Sequence, residues 1–586
     1  MKSLALLCAL PYAWPSHATC TRTAVDLPVV MTDNKAVVAA KINDTEVRFF
    51  IDSGAFFSHI TQATVDEFKL RTRNAPPGLR VSGIGGVSIP VLATVKAFSL
   101  KNVTMTDVEF LVTGGHFGAG VNGILGQNLF QDRDVEYNLA EGLIRVMKDF
   151  DCSNAMLAYW VKPGDPVSAV DIDRITPQYP HITGAVLVNG VKLRVTFDSG
   201  ASLSMLTRSA AERVGIKLDG PEVVDAGLVL GIGSAAVKSY VVPISSFRFE
   251  DGEEIKHTRL RVADVDLGFT DMLLGADFFL SHRLFVAQSQ KRVYFTYNGG
   301  PVFNLANTSA APQGAAQPAE QLTDPQHEPA DAAAWARRGM AFAGRHQFDR
   351  ALADLTRAGE LEPANPEYSF ERGRIYLQKN DPNDALADFD RALALQPDHV
   401  QALMSRAELR IHGNDIAGAR TDLDVIDKTA ASQAEVRFDM ALAYEDARLM
   451  SSAIKQADLW ISSHEEDSML PVALRARCRA RAVIGKDLPL AVKDCDRAVA
   501  GSTKGANPLI MESRGFLFLR LGNYDKAIAD YDAAIKINPQ FAMALYGRGI
   551  AEMKTKKIAQ GESDIANAEK LRPKIADVFR EDGITP

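Results

Sequence analysis

Cysteine is scarce in this sequence, with five among 586 residues. This scarcity excludes a small scaffold held together by disulfides, because such domains are dense in cysteine. The sequence also has no Cys-x-x-Cys pair and no His-Glu-x-x-His motif, which are common marks of structural and catalytic zinc. We therefore expect neither a metal nor another cofactor.

Two further absences narrow the possible functions. No apolar run reaches the roughly 18 residues that a membrane-spanning helix needs, so we expect no membrane span. There is no basic excess either, because 65 lysines and arginines stand against 73 aspartates and glutamates, for a net charge of −8. A nucleic-acid-binding domain usually carries a basic excess, so no nucleic-acid partner is expected.

What the sequence does have is length and apolar content. At roughly 100–200 residues per domain, 586 residues predict three to five units. Hydrophobic residues make up 46% of the chain and charged residues 24%, which is enough for several cores of ordinary soluble domains.

The amino terminus has the pattern of a short secretory signal. Lys2 is followed by the apolar run Leu4–Leu10, which Pro11 ends, and Ser16-His17-Ala18 is a small-x-small cleavage site. We therefore predict a bacterial-type signal peptide at residues 1–18 and a periplasmic or secreted protein. A buried amino-terminal strand or helix is the alternative.

The cysteines that remain after such a cleavage are even in number. They permit two disulfides, Cys20–Cys152 around one domain and Cys478–Cys495 within one helical hairpin. Free buried cysteines, which behave as small hydrophobic residues, are the alternative for both pairs.

Residue composition and apolar periodicity divide the chain into β-rich and helical parts. Residues 24–150 and 165–300 show β-branched, alternating runs punctuated by Gly, Pro and Asn, which indicate strands. Residues 304–331 are rich in Ala, Pro, Gln and Ser without apolar periodicity, which is typical of a flexible linker. Residues 332–575 have a helical pattern throughout.

The helical part repeats with a period of about 34 residues, within the range of helical solenoid repeats. Small residues recur at positions 339, 373, 407 and 441, and again at 515 and 549, and each is followed twelve residues later by another small residue. A closing proline follows in several repeats, and an insertion near Leu488-Pro489 interrupts the period. This pattern resembles the tetratricopeptide repeat (TPR), in about seven helical hairpins. The resemblance implies a curved solenoid whose concave surface binds a protein partner.

The β-rich part contains a duplicated motif. An apolar strand leads in each copy to Asp-Ser-Gly-Ala, at residues 52–55 and 198–201, with a serine six residues after the aspartate. A glycine-rich segment follows at a similar distance from the aspartate in each copy, and an apolar-apolar-Gly triplet ends at Gly126 and at Gly275. The shared order, with loop-sized differences in spacing, indicates two copies of one fold.

This motif resembles the half-domain of aspartic proteases, in their retropepsin-like or bacterial single-lobe form. Members of that family work as a symmetric pair of lobes, each of which contributes one aspartate. Retroviral members pair two chains, whereas pepsin-like members pair two lobes of one chain. Because both copies lie on one chain here, the resemblance implies two mainly-β lobes in the pepsin-like arrangement, followed by an all-α TPR solenoid.

The resemblance assigns catalysis to Asp52 and Asp198. Hydrolysis of a peptide bond without a metal or a covalent nucleophile needs a water activated by a base, while an acid protonates the departing groups. Two carboxylates a few ångströms apart cannot both ionise easily, so they share one proton and divide these roles. The expected substrate is a peptide or protein.

The neighbouring residues have supporting roles in the family. Gly54 and Gly200 allow the two loops to approach each other, and Ser53 and Ser199 are expected to form hydrogen bonds across the lobe interface. Most retroviral members have threonine at the serine positions. The glycine-rich segments match the mobile flap that closes over substrate, with candidate residues Gly83, Gly85, Gly86, Gly231 and Gly233.

Other polar residues near the motifs have simpler expected roles. His59 could be a charge partner or metal ligand, but a structural or solvent-facing role is favoured because the second copy has Met205 there. The residues two places after the triplets, Asn128 and Asp277, are expected to cap a helix. Four loop aspartates are expected on solvated faces, namely Asp132, Asp134, Asp264 and Asp266.

Three hypotheses follow for the function. In the first, the protein is an aspartic endopeptidase whose TPR repeats recruit a protein substrate or partner. In the second, the lobes are a non-catalytic peptide-binding groove in a scaffold protein. In the third, the enzyme is active but each lobe pairs with its equivalent in a second chain.

Overall fold

We describe the protein from a computed structural model. It describes residues 21–76, 79, 81–83, 86–88, 90–112, 120–130, 133–150, 152, 155–162, 165–173, 181–229, 237–250, 252–268, 270–299, 302–303, 328–431, 434–465, 467, 469–502 and 507–585. The predicted signal peptide, Cys20 and most of the predicted linker lie outside these residues. Among the described helices, none is both long and apolar enough to cross a membrane.

Two β-barrel lobes form the amino-terminal half. Lobe 1 contains β1 Thr21–Thr32, β2 Lys35–Ile42, β3 Thr45–Ile51, β4 His59–Ile60, α1 Gln62–Glu67, β5 Arg71–Asn74, β6 Val81–Gly83, β7 Gly86–Ser88, β8 Val91–Leu100, β9 Val103–Val112, β10 Gly123–Leu125, β11 Asp134–Asn138 and β12 Leu143–Phe150. Lobe 2 contains β13 Ser168–Asp171, β14 Thr183–Val188, β15 Val191–Phe197, β16 Met205–Thr207, α2 Arg208–Arg213, β17 Val224–Val229, β18 Val237–Phe249, β19 Glu254–Ala263, β20 Met272–Leu274, α3 Ala276–Ser281, β21 His282–Ala287 and β22 Arg292–Tyr297.

The two lobes share one topology. In lobe 1 the strands follow the order β2-β3-β10-β4-β9-β8, and a β2–β8 pairing closes the barrel. In lobe 2 the order β14-β15-β20-β16-β19-β18 matches it strand for strand, with a β14–β18 closure. This equivalence confirms that the duplicated motif marks two copies of one mainly-β fold.

A continuous mixed sheet joins the lobes through an antiparallel pair of strands. Strand β11 of lobe 1 pairs with β21 of lobe 2, in the register Val135↔Val286 and Tyr137↔Leu284. Through this pairing the sheet of lobe 1 continues into β21, β22 and β13 of lobe 2, and it has thirteen strands in all. The apolar core accordingly runs from one lobe into the other.

Paired helices form the carboxyl-terminal half. The described residues give seven hairpins and a final helix: α4 Ala332–Gly344, α5 Phe348–Leu361, α6 Pro366–Gln378, α7 Pro382–Leu395, α8 Val400–His412, α9 Ile416–Thr429, α10 Val436–Asp446, α11 Met450–Ile461, α12 Leu470–Ile484, α13 Leu488–Gly501, α14 Pro508–Arg520, α15 Tyr524–Ile537, α16 Ala542–Lys554, α17 Ile558–Leu571 and α18 Ile575–Glu581. Small residues allow these helices to approach closely. A Cβ atom added to Gly549 would lie 2.8 Å from the carbonyl oxygen of Gly561.

An arginine on the first helix of most hairpins binds an aspartate on the second. Both carboxylate oxygens accept from the guanidinium, in the pairs Arg338–Asp354, Arg372–Asp388, Arg406–Asp422, Arg477–Asp494, Arg514–Asp530 and Arg548–Asp564. In the fourth hairpin the same positions hold Met440 and Gln456. The pairs tie the helices of a hairpin together at a fixed register.

This arginine register corrects the predicted position of the insertion. Relative to the period of about 34 residues, three extra residues lie between Met440 and Arg477 and three more lie between Arg477 and Arg514. The insertion is therefore not gathered at Leu488-Pro489. The fifth hairpin also contains the cysteine pair on α12 and α13. Cys478 and Cys495 are disulfide-bonded with their Cα atoms 5.6 Å apart.

The solenoid packs directly on the lobes. Residues of α4, α5 and α6 belong to the same apolar core as the barrels. The β1–β2 turn lies at the junction, because Asp33 forms an ion pair with Arg374 of α6 at 2.9 Å. Its carbonyl oxygen also accepts from the hydroxyl of Ser202 in lobe 2, at 3.1 Å. One turn of lobe 1 therefore contacts both other parts of the molecule.

Candidate active site

Each motif aspartate stands at the end of a buried strand beside the triplet strand. The amide N–H of Asp52 donates to the carbonyl oxygen of Leu125 at 3.0 Å, and that of Asp198 donates to Leu274 at 2.8 Å. These contacts continue the parallel pairing of β3 with β10 and of β15 with β20. The triplet strand is therefore part of the support for the aspartate turn.

A hydrogen-bond network explains the serine six residues after each aspartate. In lobe 1 the hydroxyl of Ser58 donates to Asn128 at 2.8 Å and accepts from the N–H of Gly126 at 3.0 Å. In lobe 2 Ser204 makes the same contacts with Asp277 at 2.7 Å and Gly275 at 2.9 Å.

This network corrects the predicted capping role of Asn128 and Asp277. The N-cap positions belong to Gly126 and Gly275, and neither has a side-chain cap. The two polar side chains turn back to the serine instead. They therefore hold the aspartate turn against the triplet strand.

The two aspartates lie against each other at the centre of the lobe interface. A Cβ atom added to Gly54 would come closer than 3.0 Å to the Asp198 carboxylate, and one added to Gly200 would come equally close to Asp52. The two carboxyl groups share a hydrogen bond. Only glycine leaves room for this approach.

Backbone amides fix the orientation of each carboxylate. The Oδ1 atom of Asp52 accepts from the N–H groups of Gly54 and Ala55, at 2.8 and 3.0 Å. The Oδ1 atom of Asp198 accepts from the corresponding two N–H groups at 2.9 and 3.1 Å. One oxygen of each carboxylate is thus held by its own loop.

The motif serines cross-link the two loops. The hydroxyl of Ser53 donates to the carbonyl oxygen of Phe197 at 2.9 Å and accepts from the N–H of Ser199 at 2.8 Å. The hydroxyl of Ser199 donates to Ile51 at 3.0 Å and accepts from the N–H of Ser53 at 3.0 Å. Both serines are fully buried, so these four bonds join the lobes directly beneath the aspartates.

The surroundings favour one proton on the pair. Burial raises the pKa of the Asp198 carboxyl well above its usual range, and the charge of Asp52 and the hydrogen bond between the two groups raise it further. A carboxyl group in such a place stays protonated where a solvated one would ionise.

Sequence reasoning missed two basic residues beside this pair. Lys35 precedes Asp52 by the same number of positions as His181 precedes Asp198. The Lys35 ammonium lies 4.8 Å from the centre of the Phe50 ring, and burial lowers its pKa while Asp52, Asp33 and Asp198 raise it.

His181 reaches across the lobe interface. Its Nδ1 atom lies 2.8 Å from the carbonyl oxygen of Gly54, and burial lowers its pKa against the opposing effects of that contact and of Asp52. The equal offset of Lys35 and His181 is a signal that the sequence contains. The two copies are recognised by identical residues at matching positions. Lys35 and His181 differ in type, so a comparison of identical residues does not find them.

The predicted flap residues are only partly described. Gly83 and Gly86 face each other at the end of the two-stranded β6–β7 hairpin. Gly85, Gly231 and Gly233 lie outside the described residues, as does the predicted loop charge Asp132. No group of three or more His, Cys, Asp or Glu residues in the described parts of the chain is arranged to hold a metal ion.

Comparison with known proteins agrees with this geometry. Residues 38–129 and 185–278 each match the aspartyl protease family. Each matched range contains one Asp-Ser-Gly-Ala turn and one triplet. The two lobes are therefore similar to aspartyl protease domains.

The helical part that follows these two lobes matches tetratricopeptide repeats. The matches cover residues 336–382 and 370–435 in one repeat family and 515–555 in another. No curated protein matches the chain.

Two solved structures match part of this chain. One is a tetratricopeptide repeat protein from Parabacteroides merdae, 18% identical, with a TM-score of 0.29, covering 41% of this chain and 87% of its own. Another is the APC/C hetero-tetramer Cut9–Hcn1, 12% identical, with a TM-score of 0.33, covering 44% of this chain and 50% of its own.

The structure shows where three of the other predicted polar residues lie, two in lobe 1 and one in lobe 2. His59 is buried at 3% exposure in β4, next to β10, and burial lowers its pKa to about 4. Asp134 is not a solvated loop charge as predicted, because it is buried in β11 and accepts from the N–H and the hydroxyl of Ser289 in lobe 2. Asp264 is exposed and binds Arg208.

The predicted disulfide of the first domain is described on one side only. Cys152 is disulfide-bonded and buried. Cys20 lies outside the described residues, so the Cys20–Cys152 pairing stays a prediction.

Proposed function

We propose that this protein is an aspartic endopeptidase in which Asp52 and Asp198 hydrolyse a peptide bond through an activated water. The observation that carries the proposal is the mutual approach of the aspartates, each packed against the loop glycine of the other lobe. Four hydrogen bonds of Ser53 and Ser199 fix that approach. A pair of carboxyl groups held in this way is preorganised for acid–base work.

The two carboxyl groups share one proton, and the raised pKa of Asp198 favours Asp198 as its holder. Asp198 holds the shared proton, and Asp52 takes a proton from the water as its oxygen attacks the carbonyl carbon. Asp198 gives its proton to the carbonyl oxygen, which forms a tetrahedral diol. The C–N bond then breaks as Asp52 passes its proton to the nitrogen, and Asp198 recovers one from the diol.

Hydrolysis of an unstructured substrate tests this proposal. We expect the purified protein to cleave casein or a peptide library at some pH between about 3 and 7.5. Asp52→Asn and Asp198→Asn should each lower kcat/KM by at least about a hundredfold, because each removes one half of the acid–base pair. Liquid chromatography with mass spectrometry of the products would measure both.

The matched control is an exposed aspartate away from the pair and from the solenoid. Asp44→Asn lies in the β2–β3 turn at a positive φ that asparagine also adopts, and it should leave most of the activity. If the wild-type protein binds a peptidomimetic inhibitor but cleaves no peptide, the lobes are a non-catalytic peptide-binding groove, and the proposal is wrong.

We propose a binding role for the TPR domain as well. Stacked hairpins offer an extended surface that suits a peptide or protein. The ion pair of Asp33 in lobe 1 with Arg374 of the solenoid supports a role close to the two lobes. The TPR domain would bring a protein substrate or partner to the aspartate pair.

We further propose that the protein works in the periplasm or outside the cell. The proposal is supported by the signal-like amino terminus and by the disulfide between Cys478 and Cys495, since disulfides persist in oxidising compartments. Fractionation of cells that express the full chain would test it, and a cytoplasmic, uncleaved product would contradict it.

A further inference from the structure

A cavity separates lobe 1 from the first helices of the hairpins α6–α7, α8–α9 and α10–α11. It has two adjoining parts of about 480 and 200 Å³, both bordered by Val121 of lobe 1 and by Val400, Gln401 and Val436 of the solenoid. We call these two parts together the interdomain channel. Its size lies within the range of ligand-binding clefts.

The interdomain channel reaches the strand that leads to Asp52. Phe50 lines its smaller part, and it belongs to β3, which ends at Ile51 directly before Asp52. Phe50 packs with Val37, Val121 and Ile124 in a small apolar cluster apart from the barrel core. A chain bound across the aspartates at this end of the cleft would therefore meet the channel.

The wall opposite Phe50 is built by the solenoid. Phe370 and Met404, from α6 and α8, line the smaller part together with Val436 of α10. An apolar strip of this kind accepts side chains of an extended peptide, because alternate residues of such a chain point the same way.

Charge identifies the chemistry of the occupant. Among the described lining residues, seven are acidic, two are arginines and one is a histidine. In the smaller part Arg374 is engaged by Asp33 at 2.9 Å and by Glu371 at 3.0 Å. Glu408 and Asp439 line this part from α8 and α10, where burial and then the charge of Asp439 raise the pKa of Glu408, so a cation between them would favour its ionised form. This excess complements a lysine or arginine rather than an acidic side chain.

We propose that the interdomain channel binds the segment of a polypeptide substrate that flanks the scissile bond, and that it selects extended chains with lysine or arginine in that segment. The inference rests on the proposed peptidase function and gives its substrate class. The solenoid thereby forms one wall of the substrate site and discriminates among substrates.

Peptides of two lengths test the channel. A short apolar peptide that fills only the cleft is compared with the same peptide extended at either end by a flexible segment carrying two lysines, or two glutamates. For wild-type protein we expect kcat/KM about tenfold higher for one of the lysine extensions than for its glutamate counterpart.

Charge variants of the channel should act on the extended peptide alone. The double variant Glu408→Gln/Asp439→Asn should lose most of the lysine preference and keep the activity on the short peptide. Glu408→Lys should turn the preference toward the glutamate extension. The matched control, Glu562→Gln/Glu569→Gln, changes two exposed acids on α17 far from the cavity and should change neither.

The outcomes separate this inference from the proposed function. Equal kcat/KM for short, lysine-extended and glutamate-extended peptides in all variants would overturn the channel and leave the peptidase intact. Failure to cleave the short peptide would overturn the peptidase. In that case binding of the lysine-extended peptide to Asp52→Asn protein, measured by calorimetry, decides whether the channel binds basic chains.

Discussion

Lys35 is a partly buried cation within electrostatic reach of the pair, because burial lowers its pKa while Asp52, Asp33 and Asp198 raise it. A nearby cation favours the ionised form of a carboxyl group and lowers the pH at which the pair titrates. The second copy has His181 at the equivalent position, so the two halves of the site are electrostatically unequal. This inequality gives the two aspartates different environments despite their identical motifs.

Removal of the Lys35 charge should therefore shift the pH profile. In Lys35→Met we expect both limbs of the kcat/KM profile to move to higher pH, by up to about one unit, because the apparent pKa values of the pair rise. Lys35→Arg should keep the wild-type profile. A profile that does not move in Lys35→Met would show that the ammonium does not act on the pair.

His59 links the stability of lobe 1 to pH. Burial lowers its folded pKa to about 4, from 6.5 when unfolded. Because the folded pKa is the lower one, its contribution to stability is present above pH 6.5 and is lost as the pH falls toward 4. The loss approaches about 3 kcal/mol.

Methionine, which lobe 2 has at this position, should remove that dependence. The free energy of unfolding of His59→Met, relative to wild type, should increase as the pH falls from about 7.5 to about 4, in urea titrations at fixed temperature. The exposed His257→Asn is the control and should show no such trend. A constant difference between His59→Met and wild type across that range would contradict the prediction.

At the scale of elements, the β11–β21 pairing joins the lobes. Glu136 of β11 is fully buried there and binds Arg145 of β12 and Arg283 of β21, at 3.1 and 2.7 Å, as well as the hydroxyl of Tyr159. The network crosses from one lobe to the other on the same sheet. The Glu136 carboxylate is therefore shared between one arginine of each lobe.

Glu136→Ala should weaken this junction. It leaves two neighbouring guanidinium groups without their shared carboxylate, which costs about 3 kcal/mol of unfolding free energy. Glu109→Ala, which breaks the exposed pair with Arg73, should cost less than about 1 kcal/mol. Equal losses of the two variants in urea unfolding would mean that the inter-lobe network contributes little.

At the scale of the whole molecule, the site is completed by two lobes of one chain. The shared sheet and the serine cross-links both act between lobe 1 and lobe 2 of the same polypeptide. The solenoid contributes one wall of the interdomain channel, next to these two lobes. Catalysis and substrate selection are thus expected from a single chain.

Mixing of the two inactive variants distinguishes this arrangement from pairing between chains. We expect Asp52→Asn and Asp198→Asn to be inactive alone and to stay inactive when mixed after joint refolding, because each chain carries one defective half. If like lobes paired between chains, each variant alone would retain one intact site. Residual activity in either single variant would therefore favour the intermolecular arrangement.

Much of this molecule is already determined by the sequence. The Asp-Ser-Gly-Ala turns, their triplets and the regular period of the helical part are short-range patterns, and each depends on strand alternation, glycine space or helix spacing. Such local rules predict the two lobes, the solenoid and the residues of the aspartate pair.

The tertiary structure alone decided which distant residues meet. The return of Asn128 to Ser58, the approach of His181 to Gly54 and the burial of Asp134 all join residues far apart in the chain. The same holds for the interdomain channel, because one wall comes from lobe 1 and the other from helices in the second half of the chain. The physical reason is that such contacts depend on strand register and on how whole domains pack, which no local pattern of residues encodes.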